Sequence, residues 1–159
     1  MKKAGLGAML LCSLGIWMAA CNPINIAPAT YVETHDPGWK VIDLREELEY
    51  NTAWQMLVDR VRKNYDIEIM DKDSGYLRTG WIYTESGTER SNYKSRVTLK
   101  FSPDRGKLEL KADALFHRMK SGAISGRLVR DYGWVPGTDT QLLNDVYGDI
   151  SALLGRVRR

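Results

Sequence analysis

The sequence has few of the residues on which disulfides, metal sites and many catalytic centres depend. It contains two cysteines and two histidines among 159 residues. Cys12 lies within an uncharged N-terminal stretch, and removal of this stretch would leave Cys21 without a partner for a disulfide in the same chain. His35 and His117 have no second ligand at a metal-binding spacing. We therefore predict no metal site and no cofactor.

A large excess of charge of one sign is missing as well. The formal net charge of +3 becomes +1 without Lys2 and Lys3, whereas proteins that bind nucleic acid usually carry a strong basic excess. The sequence has no phosphate-binding loop, no dinucleotide fingerprint and no G-x-S-x-G motif. Ser91-Asn-Tyr-Lys94 spells the S-x-x-K motif of serine acyl-enzymes, but a chance match is favoured because the segment is predicted as a strand and no K-T-G follows. We therefore predict no nucleic-acid partner, no catalytic residue and no enzymatic activity.

The N-terminus has the order of an export signal and not that of a membrane-spanning helix. Lys2 and Lys3 precede an uncharged run that ends in the small residues Ala19 and Ala20. The run is diluted by glycine and serine, and it is shorter than the roughly 20 strongly apolar residues that a transmembrane helix needs. A positive start, an apolar middle and a small-residue cleavage site predict a signal peptide over residues 1–20.

The tetrad Met18-Ala19-Ala20-Cys21 resembles the lipobox of bacterial lipoproteins, in which the cysteine becomes the diacylated first residue of the mature chain. An ordinary secretory signal that ends near a cysteine is the alternative. Lipidation would explain why Cys21 has no partner, because an alkylated thiol is inert. The resemblance implies attachment to a membrane through N-terminal acyl chains. Asn22 implies the periplasmic side of the outer membrane, with the inner membrane as the alternative.

The rest of the chain divides into a linker and one domain. Residues 21–38 carry Pro23, Pro28 and Pro37 without a sustained apolar period, which predicts a lipidated cysteine followed by a flexible tether. The length of residues 39–159 suits a single domain. Helical and strand-like patterns both occur there, so we predict an α+β domain.

Two helices are predicted from apolar residues spaced three and four apart. The first covers about residues 45–64, although a shorter helix that begins near Asn51 and Thr52, after an extended segment from residue 39 to residue 44, is the alternative. The second begins near Thr138 and ends at Gly155.

Strands are predicted where apolar and polar residues alternate. Residues 66–71 and 76–83 form two of them, and residues 93–101 and 108–114 form a hairpin around the turn at residues 102–106. The glycine-rich segment from Ser121 to Pro136 is expected to be irregular. The result is a helix-grip-like fold, in which an antiparallel sheet of about four strands packs one face against an N-terminal and a C-terminal helix.

This order of elements resembles the domains of BamC-like lipoproteins, which belong to the machinery that assembles outer-membrane β-barrels. The likeness covers roughly residues 45–155 and includes Trp54 in the first helix, the turn at residues 71–75 and the pair Thr79-x-Trp81. It implies a helix-grip fold and a scaffold role among envelope proteins.

Aromatic residues with a polar group dominate, with eight tyrosines and five tryptophans against two phenylalanines. Such rings are enriched at binding surfaces. Trp54 and Trp81 are predicted to lie in the core. The predicted partner or ligand surface comprises Tyr132, Trp134, Lys94, Arg96 and Lys100.

The predicted function is therefore that of a lipid-anchored, periplasm-facing interaction or scaffold module, which would serve outer-membrane protein assembly. Its partners would be the membrane and one or more envelope proteins. The alternative is a lipoprotein that binds a small molecule or a lipid in a pocket between sheet and helix.

Overall fold

The computed structural model describes residues 27–83, 92–124 and 127–156, and for residues 119–124 and 127–132 it describes the backbone alone. The predicted signal peptide and Cys21 lie outside these residues. The described part of the chain forms eight strands and two helices, which are β1 (Tyr31–Glu33), β2 (Lys40–Asp43), α1 (Tyr50–Arg62), β3 (Ile67–Asp71), β4 (Tyr76–Thr79), β5 (Ile82–Tyr83), β6 (Tyr93–Phe101), β7 (Lys107–Ile124), β8 (Arg127–Asp139) and α2 (Thr140–Leu154).

The strands form one antiparallel sheet in the order β1-β8-β7-β6-β4-β3. The long strand β7 pairs along one edge with β6, and along its other edge first with β2 and then with β8. β5 continues the position of β4 beside the start of β6. The prediction of a helix-grip-like sheet of about four strands is therefore wrong, although two helices with an antiparallel sheet are compatible with the α+β class.

The predicted number of strands was too low, first, because the described residues between Ser121 and Pro136 belong to β7 and β8 and are not irregular. Its glycines had suggested a loop. Gly137, next to this segment, instead serves a close approach: a Cβ there would meet the ring of Tyr31 at 2.3 Å and the carbonyl oxygen of Val32 at 2.5 Å. Glycine is thus required at position 137 because the segment that contains Tyr31 and Val32 packs directly against it.

The second correction concerns the predicted tether, residues 21–38. Residues 31–33 of this segment are β1, which pairs with the end of β8. The hydroxyl of Tyr31 donates to the carbonyl oxygens of Val135 and Pro136, both at 3.0 Å. The Tyr31 ring also packs on a small apolar cluster that includes Phe116. The ordered domain therefore begins before residue 39, because an aromatic anchor offsets the lack of an apolar period.

Gly137→Ala is expected to destabilise the domain by about 1–3 kcal/mol, because the new methyl group must displace Tyr31 or the backbone of β1. Gly133→Ala is the matched control, since nothing lies within 4 Å of a Cβ at Gly133 in the same strand. Urea denaturation followed by circular dichroism measures both changes. Equal stability of the two variants would contradict the close packing of β1 on β8.

Both helices pack on the same face of the sheet. Trp54, Leu57 and Val61 of α1 and the apolar residues of α2 are buried against Leu99 and Leu110. For the first helix the structure agrees with the shorter alternative, since α1 begins at Tyr50, and the extended segment predicted before it contains β2. α2 is capped by Asp139, whose carboxylate accepts a hydrogen bond from the Leu142 N–H at 3.0 Å. Within the described residues, neither helix is long and apolar enough to cross a bilayer.

The predicted hairpin is confirmed as β6 and β7, which pair from Tyr93–Phe116 to Phe101–Leu108. Alternate residues of both strands, such as Val97 and Ala112, are buried under the helices. The intervening residues point to the opposite side, since successive side chains of a strand alternate between the two faces. This second side, which we call the outer face, is covered by neither α1 nor α2.

Candidate functional site

The central strands β6 and β7 place several positively charged side chains on the outer face. Lys94, Arg96 and Lys100 of β6 alternate with buried neighbours, and Lys94 and Arg96 are half-buried while Lys100 is exposed. On β7 the corresponding positions are Lys111 and Asp113, which lie opposite Thr98 and Arg96. The hairpin pattern thus places several charged groups on a surface that no helix covers.

Trp81 joins this face because the strand register shifts by one residue. Arg78 lies opposite Thr98 in β4, whereas Ile82 lies opposite Ser95 in β5. Between these two pairs the chain has one residue more than β6, as in a β-bulge, and the extra residue reverses the alternation. Trp81 is therefore half-buried on the outer face. The prediction that Trp81 lies in the core is wrong, whereas Trp54, which is 6% exposed, does lie there.

Lys94 lies at the centre of a group of aromatic rings. Its Nζ is 4.5 Å from the ring centre of Trp134, 4.8 Å from that of Trp81 and 5.8 Å from that of Tyr83. Each contact of this kind stabilises an exposed cation by about 0.5–1 kcal/mol. Trp134 and Tyr83 are nevertheless 43% and 57% exposed, so the rings also contact solvent. We call Trp81, Tyr83, Lys94, Arg96 and Trp134 the Lys94 cluster.

Arg96 extends the cluster toward a carboxylate. Its guanidinium carbon lies 4.3 Å from the ring centre of Trp81, and its Nε lies 3.4 Å from the carboxylate of Asp113. Lys111 contacts the same carboxylate at 3.0 Å and approaches the ring of Trp39 at 5.2 Å. Asp113 is thus shared by two cations. Within the described chain, no carboxylate lies within ion-pair distance of Lys94.

The structure brings three of the five predicted surface residues together. Lys94, Arg96 and Trp134 belong to one cluster, whereas Lys100 lies about 20 Å further along β6, at about 3.3 Å per residue, opposite Glu109. The backbone of Tyr132 lies in β8 opposite Met119, two residues along the strand from Trp134, which lies opposite His117. The Tyr132 side chain lies outside the described part of the structure.

Trp81 and Tyr83 were missed by sequence reasoning. The pair W-x-Y carries the alternation that could have identified Tyr83, because Trp81 and Tyr83 lie on the same face of an extended chain. Which face they share depends on the register shift near Gly80, and this shift becomes visible only when the partner strand is known. No local pattern in the sequence specifies it.

An open concavity of about 330 Å³ lies on the other side of the sheet, between β6 and α2. Tyr93, Ser95 and Asp139 are among its lining residues, and it includes neither Trp81 nor Trp134. Burial raises the pKa of the Tyr93 hydroxyl well above its usual range, and the carboxylate of Asp139 raises it further. Tyr93 therefore stays protonated at neutral pH. These surroundings are typical of a tyrosine that contributes to packing and stays uncharged.

The turn at residues 71–75 resembles the start of a calcium loop only in sequence. It joins β3 to β4, and the carboxylate of Asp71 accepts hydrogen bonds from the backbone N–H groups of Asp73 and Ser74 at 3.0 and 3.2 Å. Hydrogen bonds from Ser74, and secondarily from Asp73, lower the pKa of the Asp71 carboxyl. The described residues contain no group of three or more potential metal ligands. The carboxylate of Asp71 therefore stabilises the turn by accepting backbone hydrogen bonds.

Comparison with protein families and with curated proteins assigns no role to these surfaces. No protein-family model matches the chain, and no curated protein matches it. The resemblance to BamC-like lipoproteins and the functions that it implies therefore stay predictions. The Lys94 cluster has to be interpreted through its own geometry and charge.

Proposed function

We propose that this protein is a non-catalytic interaction module of the bacterial envelope. Acyl chains on Cys21 would hold it at the periplasmic side of the outer membrane, and the outer face of the sheet would dock a partner protein. The observation that supports this proposal is the Lys94 cluster, in which rings of two tryptophans and a tyrosine surround a cation on a face that neither helix covers.

The composition of the cluster is that of an interface centre. Tryptophan, tyrosine and arginine are enriched among the residues that contribute most to protein–protein affinity. Rigid rings bury a large area with little loss of conformational entropy, and Lys94 and Arg96 already hold the rings of Trp81 and Trp134 in place. The surface is therefore arranged before binding, which reduces the ordering cost of association.

A second candidate function is the binding of a small molecule or lipid in the concavity between β6 and α2. Its volume of about 330 Å³ is near the lower end of the range of about 300–1,000 Å³ that is typical of ligand pockets. Asp139, however, already caps α2 through the Leu142 N–H. The exposed rings of the outer face would have no part in such a function, so we favour the docking proposal.

The docking proposal is tested with the full-length protein in its native membranes. We expect Trp134→Ala to lower the yield of crosslinked partner at least tenfold, since truncation of a central interface residue costs about 2 kcal/mol or more. Met70→Ala is the control, because Met70 is 48% exposed in β3 but lies away from the cluster. Unchanged crosslinking of Trp134→Ala, or recovery of the lipoprotein alone under all conditions, would contradict the proposal.

A further inference from the structure

Within the described residues Lys94 has no ionic partner, unlike Arg78, Arg96 and Lys111 on the same face. Arg96 and Lys111 share Asp113, and Arg78 lies 3.2 Å from Glu68. The contacts of Lys94 within the described residues are instead with aromatic rings. A half-buried ammonium group that faces only rings lacks the carboxylate that would complete its neutralisation. The partner is in a position to supply this carboxylate.

The ring contacts argue against a partner that binds mainly by stacking. Sugars and nucleic-acid bases stack on the exposed faces of aromatic side chains. In the cluster, Lys94 and Arg96 both lie over the ring of Trp81, and Lys94 also lies over Trp134. A stacked sugar or base would have to displace these cations, whereas an anionic side chain would be attracted to them. The geometry therefore favours recognition of an acidic group by charge.

Carboxylates on the same face argue against a continuous anionic surface such as a bilayer. Glu109 lies opposite Lys100, and Asp113 lies opposite Arg96. Asp113 is already paired with Arg96 and Lys111, but a uniformly negative surface would oppose Glu109 with like charge, which is unfavourable. A polypeptide can place a carboxylate over Lys94 and neutral residues over Glu109. Mixed charge on the outer face thus matches a partner with mixed side chains.

We infer that the Lys94 cluster binds an acidic polypeptide segment, with a partner carboxylate at the Nζ of Lys94. This inference rests on the proposed docking function and specifies the chemistry of the partner. Aspartate or glutamate would provide the carboxylate, and neighbouring apolar side chains of the segment would contact the exposed parts of Tyr83 and Trp134. The interaction would weaken with salt, because the charges lie at a solvent-accessible surface.

A defined acidic polypeptide tests this inference directly. The probe is a fluorescently labelled random copolymer of glutamate and tyrosine, and its binding to the full-length protein in detergent micelles is followed by fluorescence anisotropy. Lys94→Glu is expected to weaken binding by at least about tenfold, since a like charge at the contact replaces an attractive pair. Lys72→Glu is the matched control, because Lys72 is an exposed lysine in the turn between β3 and β4.

The outcomes separate the inference from the proposed function. Equal binding of the copolymer by Lys94→Glu and Lys72→Glu would overturn the inference. So would tighter binding of phosphatidylglycerol vesicles, of a polyuronate or of single-stranded DNA than of the copolymer. If the Trp134-dependent crosslink persists in these cases, the docking proposal survives without an acidic partner. Loss of that crosslink as well would contradict both.

Discussion

Phe101→Ala is expected to lower the free energy of unfolding by about 3–5 kcal/mol, the range for truncation of a buried aromatic residue. Phe101 ends β6 and is 1% exposed. Its ring lies 5.2 Å from that of Tyr50 in an edge-to-face arrangement and 6.1 Å from that of Trp54. Tyr50 and Trp54 belong to the first turns of α1. The substitution therefore removes the contact through which this helix begins to pack on the sheet.

Urea denaturation of the Phe101→Ala variant, followed by circular dichroism, measures this loss. Tyr83→Ala is a suitable control, because Tyr83 is an aromatic strand residue that is 57% exposed. Its removal costs one long cation–ring contact, worth about 0.5–1 kcal/mol. The comparison separates burial from aromatic character. A loss at Phe101 no larger than that at Tyr83 would show that α1 does not depend on this cluster of rings.

Cys21→Ser is expected to abolish lipid attachment completely. Serine has no thiol, so the thioether that joins the acyl-bearing group to a lipoprotein cannot form. Two or three acyl chains bind a membrane firmly, whereas one chain gives only marginal binding, at about 0.8 kcal/mol per buried CH₂. We therefore expect the variant to lose incorporation of an alkyne-labelled fatty acid and to disappear from the outer-membrane fraction.

Cys12→Ser is the matched control for this experiment, because Cys12 is the other cysteine of the sequence and lies within the predicted signal peptide. This variant should keep both the label and the outer-membrane location. Mass spectrometry of the mature N-terminus identifies the modified residue. A labelled Cys21→Ser protein, or a native protein whose mature chain begins at another residue, would contradict lipidation at Cys21.

The sequence alone predicted those elements whose pattern is local. The alternation in residues 93–101 and 108–114 predicted β6 and the first part of β7, and the helical spacing predicted α1 and α2. Burial of one side of a strand or helix imposes a period on the sequence itself. The outward direction of Lys94 and Arg96 followed from the same alternation. Their contact with rings from two other strands did not.

The strand count could not be obtained in this way. β8 contains Gly133, Pro136 and Gly137, which are typical of loops when only local preference is considered. β1 has three residues and no apolar period. Both strands exist because β8 pairs with β7 and β1 pairs with β8, and because Tyr31 packs on Gly137 of β8. Contacts between residues about 100 positions apart leave no periodic signal in a single sequence.

The sequence by itself determined the kinds of elements, two helices and alternating strands, because their patterns are local, whereas the export signal, the lipidation of Cys21 and the absence of catalytic and metal sites stay predictions. Only the tertiary structure decided which residues share the candidate site. The register shift beside Gly80 moved Trp81 from the predicted core to the outer face, and the pairing of β8 with β7 brought Trp134 over Lys94. Periodicity depends on neighbours in the chain, whereas a binding surface depends on strands that become neighbours only on folding.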